Sequence, residues 1–198
     1  MTLVLASESA ARRAMLAAAG VPHEALAPRV DEDSAKAALR AEGISARGLA
    51  DALAELKAVR LSTRVPGALV LGCDQTLALD DGTMFDKPAD RAGAAEQLRL
   101  LSGRTHALHS AAVIAENGQP IWRHVDRAKL YVRPLSDAFI ESYLDAEYEA
   151  VQYCVGCYRI EGPGIQLFSR IEGSHFTILG LPLLPLLDFL RTRKILTS

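Results

Sequence analysis

The run Ala68-Leu69-Val70-Leu71-Gly72 constrains the fold of this chain more than any other stretch. An unbroken apolar run of this length, entered from a Pro66-Gly67 turn, reads as a strand buried on both faces. It ends on Cys73-Asp74-Gln75, so an acid stands at the mouth of a buried strand, where α/β proteins place chemistry. Thr76 to Leu79 and Thr83 to Phe85 then read as a hairpin about Asp81-Gly82. Lys87 follows, held extended by Pro88. An acid with a lysine just beyond a short hairpin suits a metal and a phosphate.

Strand-like and helix-like stretches alternate along the rest of the chain. Thr2 to Ala6 is β-rich. Ser7 or Ser9 caps a helix that runs to about Ala19 and stops at Gly20. Pro22 to Pro28 is extended, Val30 to Asp33 is an acidic turn, and a weak helix follows. A stronger helix from about Arg47 to Ser62 carries Leu49, Leu53, Leu56 and Leu61 at helical spacing. Asp90 caps a helix to Leu101. His106 to Ala115 and Ile121 to Val132 form a hairpin about Asn117-Gly118, Ser136 opens a helix to about Ala146, and the last helix spans about Leu183 to Arg191. Inserted hairpins in an alternating pattern predict an α/β fold with a mixed sheet flanked by helices. We expect one domain over residues 1–198, with the site in a cleft between the first half and the hairpin-rich second half.

The 198 residues are about half hydrophobic, enough for a substantial core. Charged residues make up 23% and the net charge is −2, so no basic excess marks a nucleic-acid surface, and any anion site must be local. No apolar run reaches the roughly 18 residues that span a bilayer. Arg12-Arg13 interrupt the N-terminal apolar stretch, which also lacks a basic leader. The expectation is a soluble cytoplasmic protein with no membrane partner. Three cysteines do not make a disulfide framework. Cys154-Val155-Gly156-Cys157 has no second pair for zinc and no helix start for redox chemistry, so it reads as packing.

Polar residues then pick out a site. Ser7, Ser9, Arg12 and Arg13 lie at a strand-to-helix turn whose free N–H groups suit an anion. Two cations in a first helical turn oppose the macrodipole by roughly 0.3–1 kcal/mol each, and a bound phosphate accounts for their presence. Neither a GxGxxG nor a P-loop pattern occurs. The acidic triplet Asp31-Glu32-Asp33 suits magnesium. Lys57 lies four residues from both Leu53 and Leu61 and so faces inward or sits at an edge. Asp74 fits a general base or a metal ligand, and Lys87 a rigid phosphate contact. The five histidines show no metal spacing; His106 and His109 point to opposite faces of a strand and receive no role.

Taken in order, these residues resemble the Maf family of nucleoside triphosphate pyrophosphatases. The matching motifs are Leu5-Ala6-Ser7 with Ser9 and Arg12-Arg13, Val30-Asp31-Glu32, Leu53-Ala54 with Lys57-Ala58, and Gly72-Cys73-Asp74-Gln75. They continue through Lys87-Pro88, Leu101-Ser102-Gly103, Glu161-Gly162, Ile171-Glu172-Gly173-Ser174 and Gly180-Leu181-Pro182-Leu183. The resemblance implies a Maf/ITPase-like fold, an elongated mixed β-sheet flanked by helices with a cleft between two lobes, often dimeric. It implies hydrolysis of a nucleoside triphosphate substrate to monophosphate and pyrophosphate with a divalent metal, usually Mg2+. It gives Asp74 the attacking water's proton and places Ser7, Arg12, Arg13, Glu32, Lys57 and Lys87 on the other polar motif positions. The catalytic set expected is Asp74, Lys57 and Lys87. Ser7, Ser9, Arg12, Arg13, Gln75 and Glu161 are the expected substrate contacts, and Glu32 with Asp74 the expected metal ligands.

Gln75 and Glu161 resemble the branch acting on 7-methyl-GTP, where a glutamate can accept from a guanine edge. The branch acting on dTTP and UTP carries Thr and Gln there. Two departures bear on this choice. Ala11 stands where the first branch has a stacking tryptophan, and Cys154 where the second has a lysine. A nucleotide-binding regulator of cell division without significant turnover is the alternative from another class.

Overall fold

A computed structural model describes residues 2–197 of the chain. It contains seven strands, β1 (Leu3–Ala6), β2 (His23–Ala25), β3 (Leu69–Leu79), β4 (Met84–Phe85), β5 (Thr105–Glu116), β6 (Gln119–Val132) and β7 (Phe168–Glu172). The helices are α1 (Ala10–Ala18), α2 (Glu32–Ala41), α3 (Ala46–Ser62), α4 (Arg91–Leu101), α5 (Asp137–Val151), α6 (His175–Ile178) and α7 (Leu183–Thr192). The strands order as β2-β1-β3-β5-β6-β7, with β4 paired to β3. β1 runs parallel to β2 and β3, whereas β4 and β7 are antiparallel to their neighbours, so the sheet is mixed as the pattern predicted.

The chain divides into two compact units. The first comprises the residues up to Gln75, His109–Arg127 and those from Ser174 onward. Strand alternation sorts its core into two layers. Leu3, Leu5, Leu69, Leu71 and Cys73 pack with Met15 and Leu16 of α1 and with Leu183, Leu186 and Leu190 of α7. On the other face, Val4, Ala6 and Val70 meet Leu61 of α3. Ala50, Ala54 and Ala58 of α3 pack on Ala111, Val113 and Ala115. Small residues let α3 lie close on the strand. A Cβ at Gly72 would stand 2.1 Å from the Ala54 carbonyl oxygen, which explains the glycine inside a buried strand.

The second unit comprises Thr76–Leu108 and Ala128–Gly173. Here Leu77 pairs with Phe85, and Leu130 with Ile171. Arg91 of α4 binds Glu141 and Asp145 of α5, and Arg99 binds Asp137. A 3-10 turn at Pro163–Leu167 leads into β7.

Four expectations change. β3 does not end at Asp74; it runs on to Leu79, because the Asp74 carboxylate bonds a lysine instead of turning back on its own backbone. The acidic turn is the start of α2: Asp31 caps it through the Ser34 amide, and Glu32 and Asp33 occupy the first turn, where acids complement the macrodipole. Leu56 lies outside the core stripe of α3 and is 37% exposed. α6 is a single turn, too short for a periodic signal, and went unpredicted.

Candidate active site

Lys57 is the centre of the charged cluster in the first unit. Helical spacing from Leu53 and Leu61 turns it toward the sheet, and its side chain is 8% exposed. Its ammonium donates to Asp74 Oδ1 at 2.6 Å and lies 3.0 Å from Glu32 Oε2. Two carboxylates from β3 and α2, 42 positions apart in sequence (74 − 32), thus share one cation. The set carries one net negative charge. Burial of this kind needs pairing, since an isolated ion would cost several kcal/mol.

A second polar group lies at the start of α1. Ser9 caps the helix by accepting from the Arg12 amide at 3.3 Å. Buried Ser7 Oγ accepts from the Ser9 amide at 3.2 Å and from Arg12 Nη1 at 3.3 Å. Arg12 also donates through Nε to the Gly180 carbonyl at 2.8 Å and through Nη1 to the Cys73 carbonyl at 3.3 Å. Its Nη2 has no hydrogen-bond acceptor among the described residues. Arg13 is exposed and likewise has no side-chain partner among them.

The two groups meet electrostatically at Cys73. Burial pushes its thiol up to about 11, Arg12 and Lys57 pull it down, and Asp74 pushes it up again. A thiol held protonated there packs and does not react.

Gln75, next to Asp74 in sequence, takes the opposite face of β3. Its amide nitrogen donates to Ser110 Oγ, the Thr177 carbonyl and the Ile178 carbonyl at 2.9, 2.9 and 3.0 Å. Ser110 Oγ donates to the same Thr177 carbonyl at 2.6 Å, and Thr177 Oγ1 to Asp126 Oδ2 at 2.6 Å. No sequence signal marked Ser110, Asp126 or Thr177; their partners lie too far along the chain for any local pattern.

Lys87 and Glu161 belong to the second unit, and both are exposed. Burial raises the Cys154 thiol, Glu161 raises it further, and Lys87 and Arg159 oppose, so all three charges act on one cysteine. The loop bearing Glu161 is tied down. Arg159 Nε donates to Glu147 Oε2 at 2.8 Å, and a Cβ at Gly164 would come within 2.4 Å of the Arg159 carbonyl oxygen. Glu147, 8% exposed on α5, was another residue the sequence did not single out.

Among the described residues no three His, Cys, Asp or Glu side chains gather to hold a metal ion. Glu32 and Asp74 do converge on a common cation, Lys57. Two hard carboxylate donors fit magnesium, which completes its octahedron with water and substrate phosphates. No helix among the described residues is long and apolar enough to cross a membrane.

A family model described as "Maf-like protein" matches residues 2–193. Three curated relatives carry the name nucleoside triphosphate pyrophosphatase. The one from Hyphomonas neptunium is 55% identical over 198 residues, covering 100% of this chain and 99% of its own. Those from Sphingopyxis alaskensis and Caulobacter vibrioides are each 54% identical, covering 96% of both chains, and 98% and 97%, respectively.

Proposed function

The chain belongs to the Maf-like family, and from that premise we propose that it hydrolyses a nucleoside triphosphate to the monophosphate and pyrophosphate. The observation that carries this reading is the buried Lys57 shared by Asp74 and Glu32 in the same unit as the Ser7–Arg12 anion turn. A triphosphate brings about four negative charges, and catalysis consists largely of neutralising and aligning them.

Asp74 Oδ1 is taken by Lys57, which leaves Oδ2 to orient a water and accept its proton. Water oxygen bonds to the α-phosphorus, the bond to the bridging oxygen breaks, and pyrophosphate leaves with that electron pair. Ser7, Ser9, Arg12 and Arg13 bind phosphate at the start of α1, and Lys57 and Lys87 add positive charge. Glu32 and Asp74 would hold magnesium, whose contribution when bound is to neutralise phosphate charge. Glu161 is the base reader in this proposal, and 7-methyl-GTP the candidate substrate, with Ala11 in place of a stacking tryptophan. A homodimer rests on the family resemblance alone, and cytoplasmic residence on the sequence reading.

A panel of normal and modified nucleoside triphosphates with magnesium, scored for pyrophosphate, tests the proposal. Asp74→Asn should lower kcat by about a thousandfold, within the range of a lost general base, with nucleotide binding retained. Tight binding of a triphosphate without any pyrophosphate release would make the chain a nucleotide sensor. UTP outpacing 7-methyl-GTP would refute the base assignment.

A further inference from the structure

Gln75 stands beside Asp74 in sequence but not in space: strand alternation turns Asp74 to Lys57 of α3 and Gln75 to α6. The Thr177 and Ile178 carbonyls can only accept, so the end of the Gln75 amide that faces them is the nitrogen. Both of its hydrogens are spent on these carbonyls and on Ser110 Oγ. With both donors engaged, only Oε1 remains, and it can only accept.

What Gln75 holds leads directly to Arg12. α6 is one turn long, and the Thr177 and Ile178 carbonyls lack the i+4 amide partners of a longer helix. Gln75 and Ser110 satisfy them. The Gly180 amide bonds the same Thr177 carbonyl at 3.0 Å, and Gly180 takes φ +92°, which suits glycine. That turn aims the Gly180 carbonyl at Arg12 Nε, 2.8 Å away. The guanidinium lies close against it, since a Cβ on Gly180 would stand 3.2 Å from Nη2.

We infer that Gln75 is a positioning residue: by clamping the end of α6 it fixes the Gly180 carbonyl, which orients the Arg12 guanidinium toward phosphate. Its effect on turnover is therefore the same for every base. The inference rests on the proposed function only in taking Arg12 as a phosphate contact.

Inorganic tripolyphosphate, a triphosphate without a base, separates the two roles. Its binding with magnesium is measured by calorimetry for wild type, Gln75→Met, Arg12→Ala and the double variant, alongside kcat/KM for the nucleotide panel. The expected result is an about tenfold loss of tripolyphosphate affinity in Gln75→Met, the size of one charge-assisted hydrogen bond, with the same factor for all nucleotides. In the Arg12→Ala background Gln75→Met should add less than about twofold, because coupled residues are non-additive. Unchanged tripolyphosphate binding with altered ratios among nucleotides would make Gln75 a base reader and overturn the inference. So would losses that simply multiply. Should Gln75→Met fail to fold, Ser110→Ala removes one bond to Thr177 and should show a smaller loss of the same base-independent kind. If wild type hydrolyses no triphosphate while the tripolyphosphate cycle is non-additive, the proposed activity fails and the positioning role stands.

Discussion

Lys57 offsets the mutual repulsion of Asp74 and Glu32. Removing it would leave two carboxylates facing each other without a cation, one of them only 9% exposed. Lys57→Met should cost about 3 kcal/mol of stability in urea unfolding, the low end of a broken buried pair. Magnesium should restore part of that loss by replacing the ammonium charge. His106 offers a second test. It is fully buried, its Nε2 lies 2.6 Å from the Tyr158 hydroxyl, and its Nδ1 has no partner among the described residues. Burial lowers its pKa from 6.5 to about 4, with Asp80 pulling weakly the other way. The unfolded chain therefore binds the proton first, and stability is full above pH 6.5, declines as pH falls, and levels off below about 4. The lost contribution is on the order of 3 kcal/mol. Melts between pH 7 and 4 should show this fall, and His106→Gln should flatten it.

At the level of elements, the contact between α3 and β3 sets where Lys57 meets Asp74. Gly72 allows that approach, since a Cβ there would overlap the Ala54 carbonyl oxygen at 2.1 Å and the Ala58 amide at 2.6 Å. These are backbone atoms, which cannot turn aside as a side chain would. Gly72→Ala should destabilise by about 3 kcal/mol, as overpacking does. It should also weaken the Lys57–Asp74 pair, read as a fall in kcat at unchanged fold by circular dichroism. Three helix starts were legible because capping is local: Ser9, Asp90 and Ser136 each accept from an amide three residues on. The continuity of β3 was not. A sequence rule takes an acid as a stop, whereas a lysine 17 positions back in the chain lets the strand proceed. α6 had no signal because one turn has no period, and its C-terminal carbonyls are satisfied from β3 and β5.

For the molecule as a whole, each unit has its own buried residues, such as Leu5, Leu16 and Leu71 in the first and Leu98, Leu101 and Leu130 in the second. That core is built from apolar side chains, and Lys57 already offsets part of the charge of the carboxylates that would hold a metal. Chelation should therefore abolish turnover while moving Tm by no more than about 2 °C, since a ligand stabilises only through what it binds. By itself the sequence determined most of the strands and helices, several caps and the mixed sheet, and it marked the candidate site residues, because propensity, capping and periodicity act over a few positions. Tertiary structure decided the partners. Lys57 joins Asp74 and Glu32 from positions 17 and 25 residues away, and Gln75 reaches Ser110, Thr177 and Ile178 across 35 to 103. Strand alternation separates neighbours such as Asp74 and Gln75, while packing joins distant residues, and neither partner choice leaves a local trace.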